Sequence, residues 1–237
     1  MELTSKQMEQ QRAAKVDRVM LAVITLLVII SLALAPLYDT WLISLMVGLP
    51  VLVFALYVTN QFAGSVLTRN SLAIMSMVMV ALQIHQAHGM LEIHFGVFVL
   101  LALFSTYLDI KPLLAGAATI AVHHLVFGLL QASNGSVWVF PNPENAIMMF
   151  LIHAVYVIFE TGFLIYFVML SRREKYTADE LLVISDGLSM SNQHIDLKLR
   201  CDDQNIEALS NFNRALSALD ETIGQVKDVS RKLLQVS

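Results

Sequence analysis

The sequence predicts an all-α integral membrane protein, with a bundle of six transmembrane helices followed by a cytoplasmic helical segment. Composition is the first reason. The 237 residues are 57% hydrophobic and 14% charged, whereas a soluble domain carries about 25% charged residues. The second reason is the grouping of the apolar residues into six runs. Each run approaches the roughly 20 residues that a helix needs to cross a bilayer.

The six runs define the expected spans. Residues 1–18 are polar and of mixed charge, and no small-residue cleavage site follows the first run. We therefore expect a cytoplasmic N-terminal segment and a retained first span. Pro112 suits the first turn of the fifth helix. The expected spans are residues 19–38, 41–61, 71–88, 93–109, 112–131 and 147–170, which together form a transmembrane domain at 19–170.

Residues 171–237 predict a cytoplasmic relay. A charged stretch continues as a helical pattern to Leu188, a break follows at 190–193, and residues 194–200 alternate apolar and polar as an extended connector. A second helix then carries apolar residues at spacings of three and four, which is the seam of a coiled coil. The seam consists of Leu209, Phe212, Leu216, Leu219, Ile223 and Val226. We expect a parallel homodimer, and packing on the chain's own residues is the alternative.

The basic residues near the spans indicate the orientation. In a six-span topology they all fall on one side: Lys15, Arg18, Arg69, Lys111, Arg172, Arg173 and Lys175. The opposite loops, 39–40, 89–92 and 132–145, carry no Lys or Arg. The positive-inside rule then makes both termini cytoplasmic and the loop 132–145 external. Three aromatic residues suit the outer interface, namely Trp41, Trp138 and Phe140.

Histidines mark the candidate site. Six of the seven lie in or beside the apolar runs: His85, His88, His94, His123, His124 and His153. An ionisable side chain at membrane depth costs a few kcal/mol and indicates a functional site. At about 1.5 Å per residue, His123, His124 and His153 lie roughly 10–13 Å below the outer ends of their helices. We expect one buried site in the outer half of the bundle.

Helix geometry separates these residues further. His123 and His124 point about 100° apart, so they cannot both face one ligand directly. His85, His88 and Glu92 share a face if the third helix continues that far, and otherwise Glu92 belongs to a turn.

The sixth span carries candidate relay residues. Tyr156 and Glu160 share a helix face with His153. An isolated buried carboxylate such as that of Glu160 needs a partner or a proton.

Several ligands would suit such a cluster. Neutral imidazoles from facing helices at matched depth are the usual axial ligands of haem b, which is the first expected cofactor. The alternatives are a copper or zinc ion and proton sensing through coupled histidines. The expected metal ligands are His94, His124, His153 and Glu92. Met90, Met148 and Met149 lie near the outer histidines and favour copper among the metals.

Other classes of function are less well supported. The chain has no nucleophile–base arrangement, Gly-rich phosphate loop or paired catalytic carboxylates, so we do not expect an enzyme. It has no basic patch that would indicate nucleic acid. A membrane electron-transfer cytochrome is the rival interpretation, but such a protein does not need a coiled-coil tail.

Three segments resemble a six-helix sensory module at the front of bacterial methyl-accepting chemotaxis proteins. They are residues 91–95 (Leu-Glu-Ile-His-Phe), 120–127 (Ile-Ala-Val-His-His-Leu-Val-Phe) and 153–161, with its His, Tyr and Glu. Residues 196–200 and 206–216 resemble the connector and second helix of a HAMP relay. This relay's usual early proline is absent here, and 204–207 reads Gln-Asn-Ile-Glu rather than Asp-Glu-Ile-Gly.

The resemblance covers most of the chain and implies a receptor. It would lie in the bacterial inner membrane, sense redox state, a gas or haem itself, and relay the signal to a chemotaxis kinase and adaptor. The methylation helices and kinase-coupling hairpin of such receptors do not occur before Ser237. We therefore expect the output domain to lie beyond this sequence.

Overall fold

A computed structural model of the chain describes residues 5–133, 135–189 and 196–236. Within these ranges all regular structure is helical, as predicted, and no strand occurs. The helices are α1 (Ser5–Tyr38), α2 (Trp41–Gln61), α3 (Val66–Gln86), α4 (Leu91–Phe104), α5 (Ile110–Ala132), α6 (Ala146–Ser189) and α7 (Glu207–Val236), with 3-10 turns at Ser105–Tyr107 and Pro143–Asn145. The chain divides into two compact units, Met1–Leu170 and Ser171–Ser237.

Five helices of the described chain, α1, α2, α3, α5 and α6, are long and apolar enough to cross a bilayer. The fourth expected span, residues 93–109, corresponds to an apolar helix that is shorter than these five, since α4 and the 3-10 turn that follows it cover Leu91–Tyr107. Helix α1 extends well N-terminal of the first expected span, which starts at residue 19, and reaches back to Ser5. Helix α3 ends at Gln86, so the turn at Gly89 (φ +75°) separates it from Glu92 in the first turn of α4.

Helix α3 is the centre of the first unit. It packs against α1, α2, α4 and α5, and 72% of its most apolar 18-residue stretch is buried. The corresponding fraction for α6 is 11%. The sequence of α3 can therefore carry polar residues that a lipid-facing helix could not, provided that each finds a partner.

Gln86 shows how α3 meets that condition. Its side-chain amide donates to Thr40 Oγ1 at 2.8 Å and to Ser44 Oγ at 2.7 Å, and its Oε1 accepts from Ser31 Oγ at 2.7 Å. These bonds join α3 to α1 and α2 inside the protein.

A second buried polar cluster lies at the other end of α3. Both oxygens of the Asp17 carboxylate accept hydrogen bonds, one from Tyr107 Oη at 2.8 Å and one from the Gly64 amide at 2.6 Å. Arg69 is buried in the first turn of α3 and pairs with Asp109 at 2.8 Å. Arg69, which was counted as a loop charge in the orientation argument, is therefore a paired helix residue.

The second unit has its own small core. The part of α6 after Leu170 contributes Ile184, and α7 contributes Leu209 and Leu216, which are 0% and 4% exposed. The first half of the predicted seam thus packs on the chain's own residues. The second half stays exposed: Leu219, Ile223 and Val226 are 52%, 43% and 63% accessible. The predicted break at 190–193 and the start of the connector, at 194 and 195, lie outside the described residues.

The residue that follows the connector, Cys201, is fixed to α7. The Cys201 amide donates to Asn213 Oδ1 at 2.8 Å, and Asn213 Nδ2 donates back to the Cys201 carbonyl at 2.9 Å. The Cys201 side chain is buried in the same small core.

Candidate functional site

Three of the six expected histidines converge from three helices. His94 lies on α4, His124 on α5 and His153 on α6. Their ring centres are 5.3 Å (His94–His124), 5.2 Å (His94–His153) and 5.8 Å (His124–His153) apart. We call this group the three-histidine cluster.

The same hydrogen bond orients each ring. Nδ1 lies 2.9 Å from the Met90 carbonyl in His94, 3.0 Å from the Ile120 carbonyl in His124 and 2.7 Å from the Met149 carbonyl in His153. In every case the acceptor is one helical turn earlier. A carbonyl oxygen only accepts, so Nδ1 carries the proton, and Nε2 of a neutral ring keeps a free lone pair.

One unpartnered nitrogen is the unusual feature of the cluster. Nε2 of His94 is fully buried and has no hydrogen-bond partner among the described residues. Buried polar atoms nearly always have a partner. Histidines that bind metals usually donate their other ring N–H to a carbonyl or carboxylate, which is the arrangement seen here.

The Phe140 side chain covers the cluster, and we call it the roof. Its ring centre lies 6.5 Å from that of His94, 5.8 Å from that of His124 and 5.5 Å from that of His153. The side chain is fully buried. The prediction that Phe140 belongs to the outer interface is therefore wrong, because the loop folds inward and places this ring among the helices.

Gln131 holds this roof in place. Its Oε1 accepts from the amides of Val139 at 2.9 Å and Phe140 at 3.0 Å, and its Nε2 donates to the Phe140 carbonyl at 2.7 Å. Sequence reasoning missed both Gln131 and Phe140. The only available signal was a polar amide at the end of an apolar helix.

Two glycines allow the loop to approach so closely. A Cβ at Gly89 would lie 2.6 Å from the Phe140 carbonyl carbon, and Gly89 also has a positive φ of 75° that favours glycine. A Cβ at Gly128 would lie 3.2 Å from Phe140 Cε2. At both positions a Cβ would crowd Phe140, so glycine makes room for it.

The remaining three histidines are placed differently. The Trp138 amide donates to His85 Nδ1 at 3.1 Å, and the His88 ring lies 5.0 Å from the Trp138 ring. These two residues contact the loop between α5 and α6 rather than join the cluster. The His123 ring packs 4.6 Å from Phe127, while its Nδ1 lies a long 3.4 Å from that of His124.

Two apolar cavities border the cluster. The first, about 240 Å³, is lined by all three histidines and otherwise by apolar side chains of α4, α5 and α6. The second, about 290 Å³, is lined by His94 and His153, together with Tyr156 and Met149. Both cavities therefore place open volume beside the histidines, and their walls are almost wholly apolar.

The predicted metal ligand Glu92 and the predicted relay residues Glu160 and Tyr156 lie outside the cluster. Glu92 is exposed in the first turn of α4 and lines neither cavity. Glu160 has one buried carboxylate oxygen that finds no hydrogen-bond partner in the part of the chain that the structure describes. Tyr156 reaches the second cavity but is 62% exposed.

Coordination of an ion would require the rings to reorient. As they stand, no three His, Cys, Asp or Glu side chains in the described ranges are placed to hold a metal. With metal–nitrogen bonds of about 2.0–2.1 Å, three imidazoles on one tetrahedral ion have ring centres roughly 5 Å apart. The observed spacings of 5.2–5.8 Å are close to that value. The ring-centre distances are thus nearly those of a bound ion, and it is mainly the orientation of the rings that would have to change.

Comparison of the chain with protein-family models, with curated proteins and with solved structures gave no match.

Proposed function

We propose that this chain is the membrane-embedded input module of a signalling receptor. In this proposal, the three-histidine cluster binds a copper or zinc ion, and α6 carries the change into the cytoplasmic helices. The observation that carries the proposal is the convergence of three imidazoles from three helices, each anchored through Nδ1, with the buried Nε2 of His94 lacking a hydrogen-bond partner among the described residues. Once the rings reorient, three imidazole nitrogens are chemically suited to a transition-metal ion.

The spacing of the rings favours a bare ion over haem b. Two axial histidines of a haem lie on opposite faces of a wide, flat macrocycle. Here the third ring and Phe140 lie close to every pair of histidines, with ring centres 5.2–6.5 Å apart. An ion needs no slot between the rings, so it fits this arrangement better.

Helix α6 is suited to respond to the ion. It is the least buried of the five long apolar helices, and both cavities lie along the face that carries His153. An ion shared by the three histidines would draw α6 towards α4 and α5. Because α6 runs from Ala146 to Ser189 as one helix, a shift or rotation of its outer half would reach the second unit.

The second unit would act as the relay and as the surface that meets the partners. A HAMP-like pairing of the end of α6 with α7 would receive the movement. The exposed seam residues Leu219, Ile223 and Val226 would then pair with those of a second copy, giving a homodimer. The downstream partner would be a chemotaxis kinase and adaptor. Both termini would be cytoplasmic, in a bacterial inner membrane.

Metal binding by the full chain in lipid nanodiscs tests the first half of the proposal. We expect one copper or zinc ion per chain after dialysis against a weak chelator. Replacing a ligand by alanine, as in H94A, H124A or H153A, should weaken binding by roughly 100-fold, since loss of an outer-shell partner alone costs 10–100-fold. H123A is the matched control, because it removes the neighbouring imidazole on the same helix. Equal metal contents in H123A and H124A would contradict the proposal.

Distances between spin labels test the second half. In a chain with Cys201→Ser, labels at Leu114 on α5 and Tyr166 on α6 report the spacing of the two helices, and both positions are exposed. We expect the distance distribution to change when metal is added, and the change to disappear in H153A. An unchanged distribution in metal-loaded protein would exclude signalling through α6.

A further inference from the structure

Resting on the proposed function, the structure assigns the ion more narrowly. We infer that the site takes Cu⁺, held by the three-histidine cluster and by the thioether sulfur of Met149 as its fourth ligand.

The first argument is charge. Each imidazole of the cluster donates from Nδ1 to a carbonyl and would bind an ion as an uncharged Nε2 ligand, and no carboxylate lines either cavity. The cost of burying an ion in apolar surroundings rises with the square of its charge, so a divalent ion costs about four times as much as a monovalent one. With no anionic ligand to offset that cost, the donor set discriminates against Zn²⁺ and Cu²⁺.

The second argument concerns the fourth ligand of the bound ion. Zinc bound by three histidines normally takes a water molecule as its fourth ligand. A bound water needs 2–4 polar partners. Apart from the imidazoles, the first cavity is lined only by apolar side chains, and Tyr156 adds the one hydroxyl of the second. A zinc-bound water would lack partners here, whereas Cu⁺ needs none.

The third argument is the position of Met149. It lines the second cavity together with His94 and His153, and it packs half-buried beside Phe140. It lies one turn before His153 on α6, so the two side chains share a face. Thioether sulfur is a soft, neutral ligand that selects Cu⁺ over Zn²⁺. The neighbouring Met148 is 61% exposed and lines neither cavity.

Competition experiments on the full chain in nanodiscs test this inference. Cu⁺ is offered against bicinchoninate under ascorbate, and Zn²⁺ against a zinc-selective fluorescent chelator. We expect one Cu⁺ per chain, with an affinity at least 100-fold above that for Zn²⁺. M149L should lower the Cu⁺ affinity by at least ten-fold, while M148L leaves it unchanged. Unaltered thermal unfolding of the metal-free variants shows that they fold.

The outcomes separate this inference from the proposed function. Zinc bound as tightly as Cu⁺, or an M149L variant that keeps the full Cu⁺ affinity, would overturn the assignment and leave the proposed metal receptor standing. Failure to bind either ion would overturn both. Loss of Cu⁺ binding in M148L to the same extent as in M149L would also refute the role of Met149.

Discussion

The roof over the cluster gives a prediction whose size follows from the structure. Replacing Gln131 by leucine keeps the side chain's approximate volume but removes three hydrogen bonds to Val139 and Phe140, at 2.7–3.0 Å. At about 1 kcal/mol for each bond, the closed loop loses about 3 kcal/mol relative to the open loop. Because 1.4 kcal/mol corresponds to a factor of ten, the open population should rise roughly 100-fold.

Amide hydrogen exchange measures this population directly. The Val139 and Phe140 amides are buried and bonded to Gln131, so Gln131→Leu should reduce their protection by about the same factor as the opening. Gln83→Leu is the matched control, since it removes one buried bond, to the Leu27 carbonyl, on another helix. Protection in the loop that falls less than ten-fold, or equally in both variants, would refute the idea that Gln131 holds the roof.

Three further predictions concern the rest of the chain. Gly116→Ala should lower the free energy of unfolding by roughly 1–3 kcal/mol in a denaturant titration, because the added Cβ would lie 2.5 Å from the buried Phe104 ring. Gly162→Ala is the control: its added Cβ would meet no neighbouring group within 4 Å, so it should not destabilise the protein. Tyr107→Phe should cost about 2 kcal/mol in that titration, since it removes a bond to the buried Asp17 carboxylate; an unchanged unfolding midpoint would contradict this. Burial raises the pKa of the Cys201 thiol. Its alkylation at pH 8 should therefore be slower than that of an exposed cysteine, and the rate should increase as the pH is raised further. An alkylation rate equal to that of free cysteine would show that the thiol is accessible to solvent.

The predictability of the fold depended on what each segment packs against. Composition and run length predicted an all-helical chain with long apolar helices, because lipid demands continuous apolar helices. The start of α1 at Ser5 was not predictable, since residues 5–18 are polar overall. Their helix is stabilised by buried contacts of Ala13 and Asp17 that only the packed structure reveals.

The site was predictable only in part, for a related reason. Counting residues along helices gave His124 and His153 a common depth, and helix geometry required His123 and His124 to differ. The exclusion of His85 and His88 depends on where Trp138 lies, and the roof depends on the path of a loop. Neither is encoded in periodicity. The spacing of the α7 seam likewise predicted an apolar stripe, but not that Leu209 and Leu216 would be covered by the chain itself.

In the proposed receptor, His94, His124 and His153 bind one ion together. X-ray absorption at the edge of the bound metal, with the full chain in nanodiscs, tests it most directly, because imidazole ligands give a characteristic multiple-scattering pattern. We expect a shell with three imidazoles, reduced to two in H124A and unchanged in H123A. A metal-loaded chain with one imidazole or none, or an H124A spectrum identical to that of the parent chain, would contradict it.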